Sequence, residues 1–329
     1  MTLRNTVRKG LSPVIGARRV DRLVDAEASA RASLARWIAP KERQAEEGAA
    51  ADTHPGYEVL PNGYRIYPDD DTLFPASSLT RHEFLSGLHE VLQPRTYLEI
   101  GVADGSSLTL SRVRSIGVDP AFHITTPLHA DLLLARETSD DFFASGRAEE
   151  HLAGTPLDLG FIDGMHLAEF AYRDFLNVER LMSPTGIVVF DDMMPRSVHE
   201  AARDRYTLHW AGDVFKVAEV LRAERPDLIV IPVNTFPTGV VLVARVDPSS
   251  TVLSERYDAV LPALEAPDPQ VLPEHVLRRT LAVDGEDLLA WDGWEALRGL
   301  RNRPRALAER RKLFASLAAA FVREADPSA

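Results

Sequence analysis

Two short stretches, FIDGMH (161–166) and VVFDDM (188–193), each run an apolar strand-like pattern into aspartate: Asp163 in the first, Asp191 and Asp192 in the second. If the two strands are neighbours, about 4.8 Å apart, the three carboxylates converge. Left uncompensated, they repel one another and take up protons. A hard divalent cation such as Mg2+ resolves that, and it needs few protein oxygens because it keeps several of its waters. The competing reading is structural, with Asp163 capping the helix that follows and Asp191-Asp192 forming a hydrated loop pair. His166 stands three residues after Asp163. Alone, a histidine at a helix start is a polar surface residue. Beside a cation and a cofactor it becomes a candidate general base.

A second group of residues precedes this one. YLEIGVADG (97–105) ends an apolar run in a buried acid and two spaced glycines. Asp119, in SIGVDP, follows Gly101 at the end of the next apolar run. Ligands of doubly wound sheets bind beyond the carboxyl ends of the strands, where such a carboxylate accepts hydrogen bonds from ribose hydroxyls. The glycine spacing is not the G-x-G-x-x-G of dinucleotide sites. It is E-x-G-x-A-x-G, made by Glu99, Gly101, Ala103 and Gly105.

Over residues 80–247 this pattern resembles the class I S-adenosylmethionine-dependent methyltransferases, whose first motif is E/D-x-G-x-G-x-G and whose sheet ends in a reversed strand. The resemblance implies that Glu99, Gly101, Ala103 and Gly105 shape the cofactor loop and that Asp119 holds the ribose. It also implies that Ser139 and Asp140 lie near the adenine, although either could simply cap the turn that follows. Ala103 departs from the family's middle glycine and leaves a methyl group near the ligand. D-G-x-H…D-D is similar to the metal-dependent O-methyltransferases that modify sugar and macrolide hydroxyls in natural-product pathways. That similarity implies Asp163, Asp191 and Asp192 as magnesium ligands and His166 as the base. Met165 stands where some relatives carry an acid.

The elements that must position these residues follow from periodicity. RHEFLSGLHEVL reads as a helix, TYLEI as a strand, SSLTLSRVR as a helix, and SIGVD and DLLLA as strands. LDLGFID, GIVVFDD, DLIVIPV and GVVLVARV complete the strands, with helices over HLAEFAYRDFLNVERLM and DVFKVAEVLRAER. Apolar strands alternating with amphipathic helices make an α/β, doubly wound, mostly parallel sheet covered on both faces. The link between the last two strands is too short for a crossover helix, so they are antiparallel neighbours. The expected sheet is seven-stranded with a reversed edge strand, in a domain over 80–247. Helical extensions over 1–79 and 248–329 flank it, the first with an amphipathic helix over 17–38, a linker over 40–56 and a hairpin turning at Asn62-Gly63.

Composition sets the remaining bounds. The 329 residues include 45% hydrophobic and 26% charged side chains, enough for a sizeable core. A formal net charge of −12 argues against nucleic acid as a partner. With no cysteine, thiolate metal sites and cysteine nucleophiles are excluded. No run reaches the roughly 18–20 apolar residues of a membrane span, so the expected setting is cytoplasmic, with no membrane partner. The apolar helices after residue 280 point to contacts between copies of the chain. The expectation is methyl transfer from S-adenosyl-L-methionine to a small-molecule hydroxyl acceptor. An NAD-dependent dehydrogenase and a non-catalytic methyltransferase-like binding domain are the alternatives.

Overall fold

The protein is seen here in a computed structural model that describes residues 58–60, 63–66, 77, 79–303 and 305–323. The helix expected over 17–38, the linker over 40–56 and Asn62 of the expected hairpin lie outside those residues. The expected hairpin is present as antiparallel Glu58–Val59 and Arg65–Ile66.

Eight strands form the main sheet: β1 (Thr96–Ile100), β2 (Arg114–Val118), β3 (Asp131–Ala135), β4 (Leu157–Ile162), β5 (Met182–Phe190), β6 (Ile229–Asn234), β7 (Val240–Ala244) and β8 (Val283–Asp284). Their order is β8-β6-β7-β5-β4-β1-β2-β3. All pairings are parallel except those of β7, which runs against both β5 and β6. The reversed strand is therefore interior rather than at the edge. The short link to β6 dictates an antiparallel neighbour, but pairing with β5 on the other side leaves no local signal in the sequence. The eighth strand comes from beyond residue 248 and pairs with β6 at Val283 and Asp284.

Both faces are covered, as near-continuous apolar strands require. On one face, α4 (Ala168–Glu179), α5 (Phe215–Glu224) and α6 (Val252–Leu264) bury Tyr172, Phe175, Leu221 and Tyr257 against Leu98 and Ile100 of β1. The other face is closed by α1 (Arg81–Leu92) together with α8 (Gly285–Leu289), α9 (Trp294–Leu300) and α10 (Leu307–Phe321). There, Leu288, Trp291, Trp294 and Phe314 pack with Phe84 and Leu88 of α1. Leu288, Trp291, Trp294, Leu297 and Phe314, all beyond residue 280, thus turn inward and complete this chain's own core, while Leu307 and Val322 stay exposed. Two short helices, α2 (Ser139–Ala144) and α3 (Arg147–Leu152), follow β3, and one turn, α7 (Glu274–Leu277), precedes β8.

The helix α1 begins in a capping box. Thr80 Oγ1 accepts from the Glu83 amide (3.2 Å), and Glu83 Oε2 accepts from the Thr80 amide (2.8 Å). Its buried stripe of Phe84, Leu85, Leu88 and Leu92 then fixes which way the first turn faces. The helix expected over SSLTLSRVR is reduced to a 3-10 turn at Leu108–Leu110. Serine competes poorly inside helices because its hydroxyl bonds locally, and Ser111 Oγ lies 2.7 Å from Ser115 Oγ. Among the described residues no helix is long and apolar enough to cross a membrane.

Candidate functional site

Register builds the site. Ile100 pairs with Val118 of β2 and Ile162 of β4, and Ile162 with Phe190 of β5. The next residue on each strand, Asp119, Gly101, Asp163 and Asp191, therefore forms a row along the carboxyl edge. Each adds one more rung to the ladder: Asp119 N to Ala135 O (3.1 Å), Gly101 N to Val118 O (2.9 Å), Asp163 N to Ile100 O (2.9 Å) and Asp191 N to Ile162 O (3.0 Å). The glycine turn and the acidic cluster are neighbours for this reason.

At Gly101 (φ +89°) a β-carbon would lie 1.7 Å from the Asp163 carbonyl oxygen. The resemblance gave this glycine a part in shaping the cofactor loop, and the close approach that its missing side chain allows here is to the neighbouring backbone. Ala103 holds a left-handed conformation (φ 49°) where the family pattern has glycine. Its amide donates to Asp119 Oδ2 (2.8 Å), while Asp119 Oδ1 accepts from the Ala121 amide (2.6 Å). Each of those oxygens keeps a lone pair for a further donor. Residues 121–130 fold back over the turn, with His123 N donating to Ala103 O (2.8 Å) and Ile124 packed on Gly105.

Glu99 is fully buried on the α1 side of the sheet. Its Oε2 accepts from Tyr97 Oη at 2.6 Å, and its Oε1 has no partner among the described residues. Burial pushes its carboxyl up to about 8 against the Tyr97 hydrogen bond, with help from Asp163. A buried acceptor left without a donor is costly, and it fits a cationic or N–H-bearing part of a bound cofactor. Ser139 and Asp140 open α2 behind the cap at Thr138. Asp140 is engaged by Arg173 of α4 (Nη2 to Oδ2, 2.7 Å), and the Ser139 hydroxyl bonds Asp174.

The three aspartates do converge, but not bare. Arg81 Nη1, from the first turn of α1, donates to Asp163 Oδ2 (2.9 Å) and to Asp191 Oδ2. His166 Nε2 lies 3.3 Å from Asp163 Oδ1, and its Nδ1 lies 3.2 Å from Asp192 Oδ2. Thr238 Oγ1 donates to Asp192 Oδ1 (2.5 Å). Burial raises Asp191 well above the usual aspartate value, assisted by Asp192 and Asp163 and opposed by Arg81, and it raises Asp192 against the charge of His166. Burial alone would lower His166; Asp192, Asp163 and Asp191 outweigh it and push the imidazole up to about 9. One ligand atom each from Asp163, His166 and Asp192 lie within 4.8 Å of one another, a donor set that fits a divalent cation. Asp191 lines the same cleft, with its carboxylate directed to Arg81.

His166 and Asp192 both sit in left-handed backbone (φ 58° and 59°), the kind of strain that persists only where surrounding structure enforces it. For His166 that structure is the loop before α5. Trp210 stacks on the imidazole (4.9 Å, 13° between planes), and its carbonyl lies 3.2 Å from His166 Nδ1. A carbonyl only accepts, so Nδ1 carries a hydrogen, and Nε2, beside Asp163 Oδ1, is the nitrogen that gains or loses one as the ring titrates. Gly212 presses on the His166 carbonyl so closely that a β-carbon would lie 1.8 Å from it. The Arg205 guanidinium lies 5.1 Å from the Tyr64 ring and 5.7 Å from that of Trp210, tying the hairpin's turn to this stack.

Trp210, His199 and His209 follow β5 close together in the sequence, and of these Trp210 meets the site. His199 bonds Tyr206 instead (3.0 Å), and only the carbonyl of His209 is used, by Thr207. Asp213 does not cap its own helix: its Oδ1 accepts from the Ala168 amide at the start of α4 (2.8 Å), and its Oδ2 meets Arg203 (2.6 Å) and Lys216 (2.8 Å). Arg81, Thr238 and Arg279 went unnoticed. Arg279, buried, donates to Asn234 Oδ1 (2.8 Å) and to the carbonyls of Thr235, Met194 and Pro237. It thereby ties the β6–β7 loop to the turn after Asp192.

Residues 98–193 match a family model described as a methyltransferase domain. No curated protein sequence matches the chain. Among solved structures, similarity is found to the O-methyltransferase TomG from Streptomyces achromogenes, involved in tomaymycin synthesis and solved with SAM. The identity is 20%, over 54% of this chain and 82% of that one, with a TM-score of 0.36. An O-methyltransferase from Bacillus cereus in complex with SAH is 16% identical, over 65% and 96% of the two chains, with a TM-score of 0.36. SAH-bound PaMTH1 from Podospora anserina is 14% identical, over 70% and 96%, with a TM-score of 0.37.

Proposed function

We propose that the protein, whose residues 98–193 match a methyltransferase-domain model, is a class I S-adenosylmethionine-dependent enzyme that methylates a hydroxyl group of a small molecule with the help of a divalent cation. The observation that carries this reading is the packing of Gly101 on the Asp163 carbonyl, which sets the cofactor turn against the acidic cluster and His166. The acceptor class that the sequence pattern favours is a sugar or natural-product scaffold.

The cofactor supplies an electrophilic methyl group on a sulfonium sulfur. Asp119, already oriented by the Ala103 and Ala121 amides, offers its remaining lone pairs to the ribose. Glu99 Oε1, left without a partner, would receive the cationic portion, whose charge would ionise a carboxyl that burial otherwise keeps protonated. Asp163, Asp191 and Asp192 would hold a divalent cation, which when bound would lower the pKa of the acceptor hydroxyl and oppose protonation of the imidazole. His166, locked by Trp210 with its Nδ1 hydrogen directed at carbonyl and carboxylate, accepts the hydroxyl proton at Nε2 as the oxygen takes the methyl group. Much of the remaining rate enhancement is positioning on a rigid strand edge.

Calorimetry with adenosylhomocysteine and with NAD tests the cofactor, and mass spectrometry of glycoside and polyketide alcohols incubated with S-adenosylmethionine tests the reaction. Binding of adenosylhomocysteine but not NAD, and a methyl ether product, are expected. Binding of NAD alone would overturn the assignment.

A further inference from the structure

We propose that Arg81 is a positioning residue of this site, a fixed counter-charge that takes up one of the three carboxylate charges and orients Asp163 and Asp191, so that the cluster is balanced by a single divalent cation. The inference rests on the cation-dependent reading above.

Its placement is built rather than incidental. Residues 79–81 pair with the β6–β7 loop: Phe236 N donates to Leu79 O (2.8 Å), Arg81 N donates to Phe236 O (3.2 Å), and Thr80 bridges Phe236. The capping box at Thr80 then fixes the first turn of α1. The same loop delivers Thr238 to Asp192, and Arg279 clamps it from the far side. One loop therefore registers both Arg81 against Asp163 and Asp191, and Thr238 against Asp192. The charges add up simply. Asp163, Asp191 and Asp192 carry three negative charges when ionised, and Arg81 stays protonated under all ordinary conditions. With the His166 imidazole neutral, the state a bound cation favours, two negative charges remain, the charge of one dication. Arginine suits this task better than lysine because its fork is planar and its charge permanent.

A merely structural arginine and a counter-charge predict opposite signs for metal affinity. Mn2+ is titrated into the full-length protein, without cofactor or acceptor, and free Mn2+ is followed by electron paramagnetic resonance, with Mg2+ as competitor. Arg81→Met and Arg81→Gln, checked for intact folding by thermal unfolding, should bind Mn2+ roughly ten- to a hundredfold more tightly than the parent, the effect of removing a unit charge a few ångströms away in partly buried surroundings. Arg81→Lys should stay close to the parent. Binding seen in the neutral variants but not in the parent would overturn the inference, since Arg81 would then stand in the cation's place. Unchanged or weaker binding in both neutral variants would overturn it while leaving the cation reading standing. Absence of binding in the parent and all variants would overturn the cation reading and this inference with it.

Discussion

Gly101 and Asp163 meet backbone to backbone: a β-carbon on the glycine would lie 1.7 Å from the aspartate's carbonyl oxygen, and the glycine's φ of +89° is one that other residues rarely adopt. Neither backbone can move without breaking the ladder rungs from Gly101 to Val118 and from Asp163 to Ile100. Gly101→Ala should therefore destabilise the fold by more than about 3 kcal/mol, overpacking and backbone strain acting together. Denaturant unfolding checks this, and a variant as stable as the parent would show that the turn can relax.

Asp119 has two tasks, since it orients Ala103 and Ala121 and is assigned to the ribose. Asp119→Ala should weaken adenosylhomocysteine binding by about 1.5–3 kcal/mol, the scale of charge-assisted hydrogen bonds. Calorimetry on a variant shown to be folded gives the number. An unchanged dissociation constant would remove Asp119 from the cofactor site.

Glu99 gives stability a pH dependence of defined sign. Its pKa in the folded chain is about 8, above the roughly 4.3 of an unfolded glutamate. Between those values the folded state holds a proton that the unfolded state has lost, so stability falls as pH rises through that window. Glu99→Gln should remove this slope, leaving the parent steeper between pH 5 and 8 in denaturant titrations at constant ionic strength. A parallel pair of curves would show that Glu99 is charged in the folded protein.

The strand ends and their acids could be read from sequence, because each apolar run stops at a polar residue and a parallel sheet brings those stops into one row. Asp119, Gly101, Asp163 and Asp191 lie along that row. Arg81, Thr238 and Arg279 could not be found that way. They come from a helix start, a loop and a segment beyond residue 248 that meet only through tertiary pairing with Phe236 and its neighbours. The interior position of β7 was hidden for a similar reason, since local linker length speaks to β6 but not to β5. The sequence also presented the acids as uncompensated, whereas Arg81 and His166 already stand between them.

Removing divalent cations separates the two halves of the site. Excess chelator should stop methyl transfer, and Mg2+ or Mn2+ should restore it. Adenosylhomocysteine should still bind, because Glu99, Ala103 and Asp119 lie on the β1 and β2 side of the row. Full turnover in chelator would make the aspartates structural.

In the proposed reaction His166 is the base, and its environment sets the shape of the expected pH profile. An aliphatic hydroxyl ionises too weakly to attack at neutral pH, so a proton acceptor is needed even when a cation polarises the oxygen. The imidazole accepts only when neutral, so the rate should rise with pH through its pKa and then level off. Its acidic neighbours hold that pKa near 9, while a bound dication opposes protonation. The inflection should therefore move to lower pH as Mg2+ is raised toward saturation. His166→Ala should lower kcat by roughly 10²–10⁴ and leave adenosylhomocysteine affinity nearly unchanged, since Asp119 and Glu99 do not touch the imidazole. A variant turning over within a few-fold of the parent, with the same pH profile, would return His166 to the role of a packed polar residue between Trp210 and two aspartates.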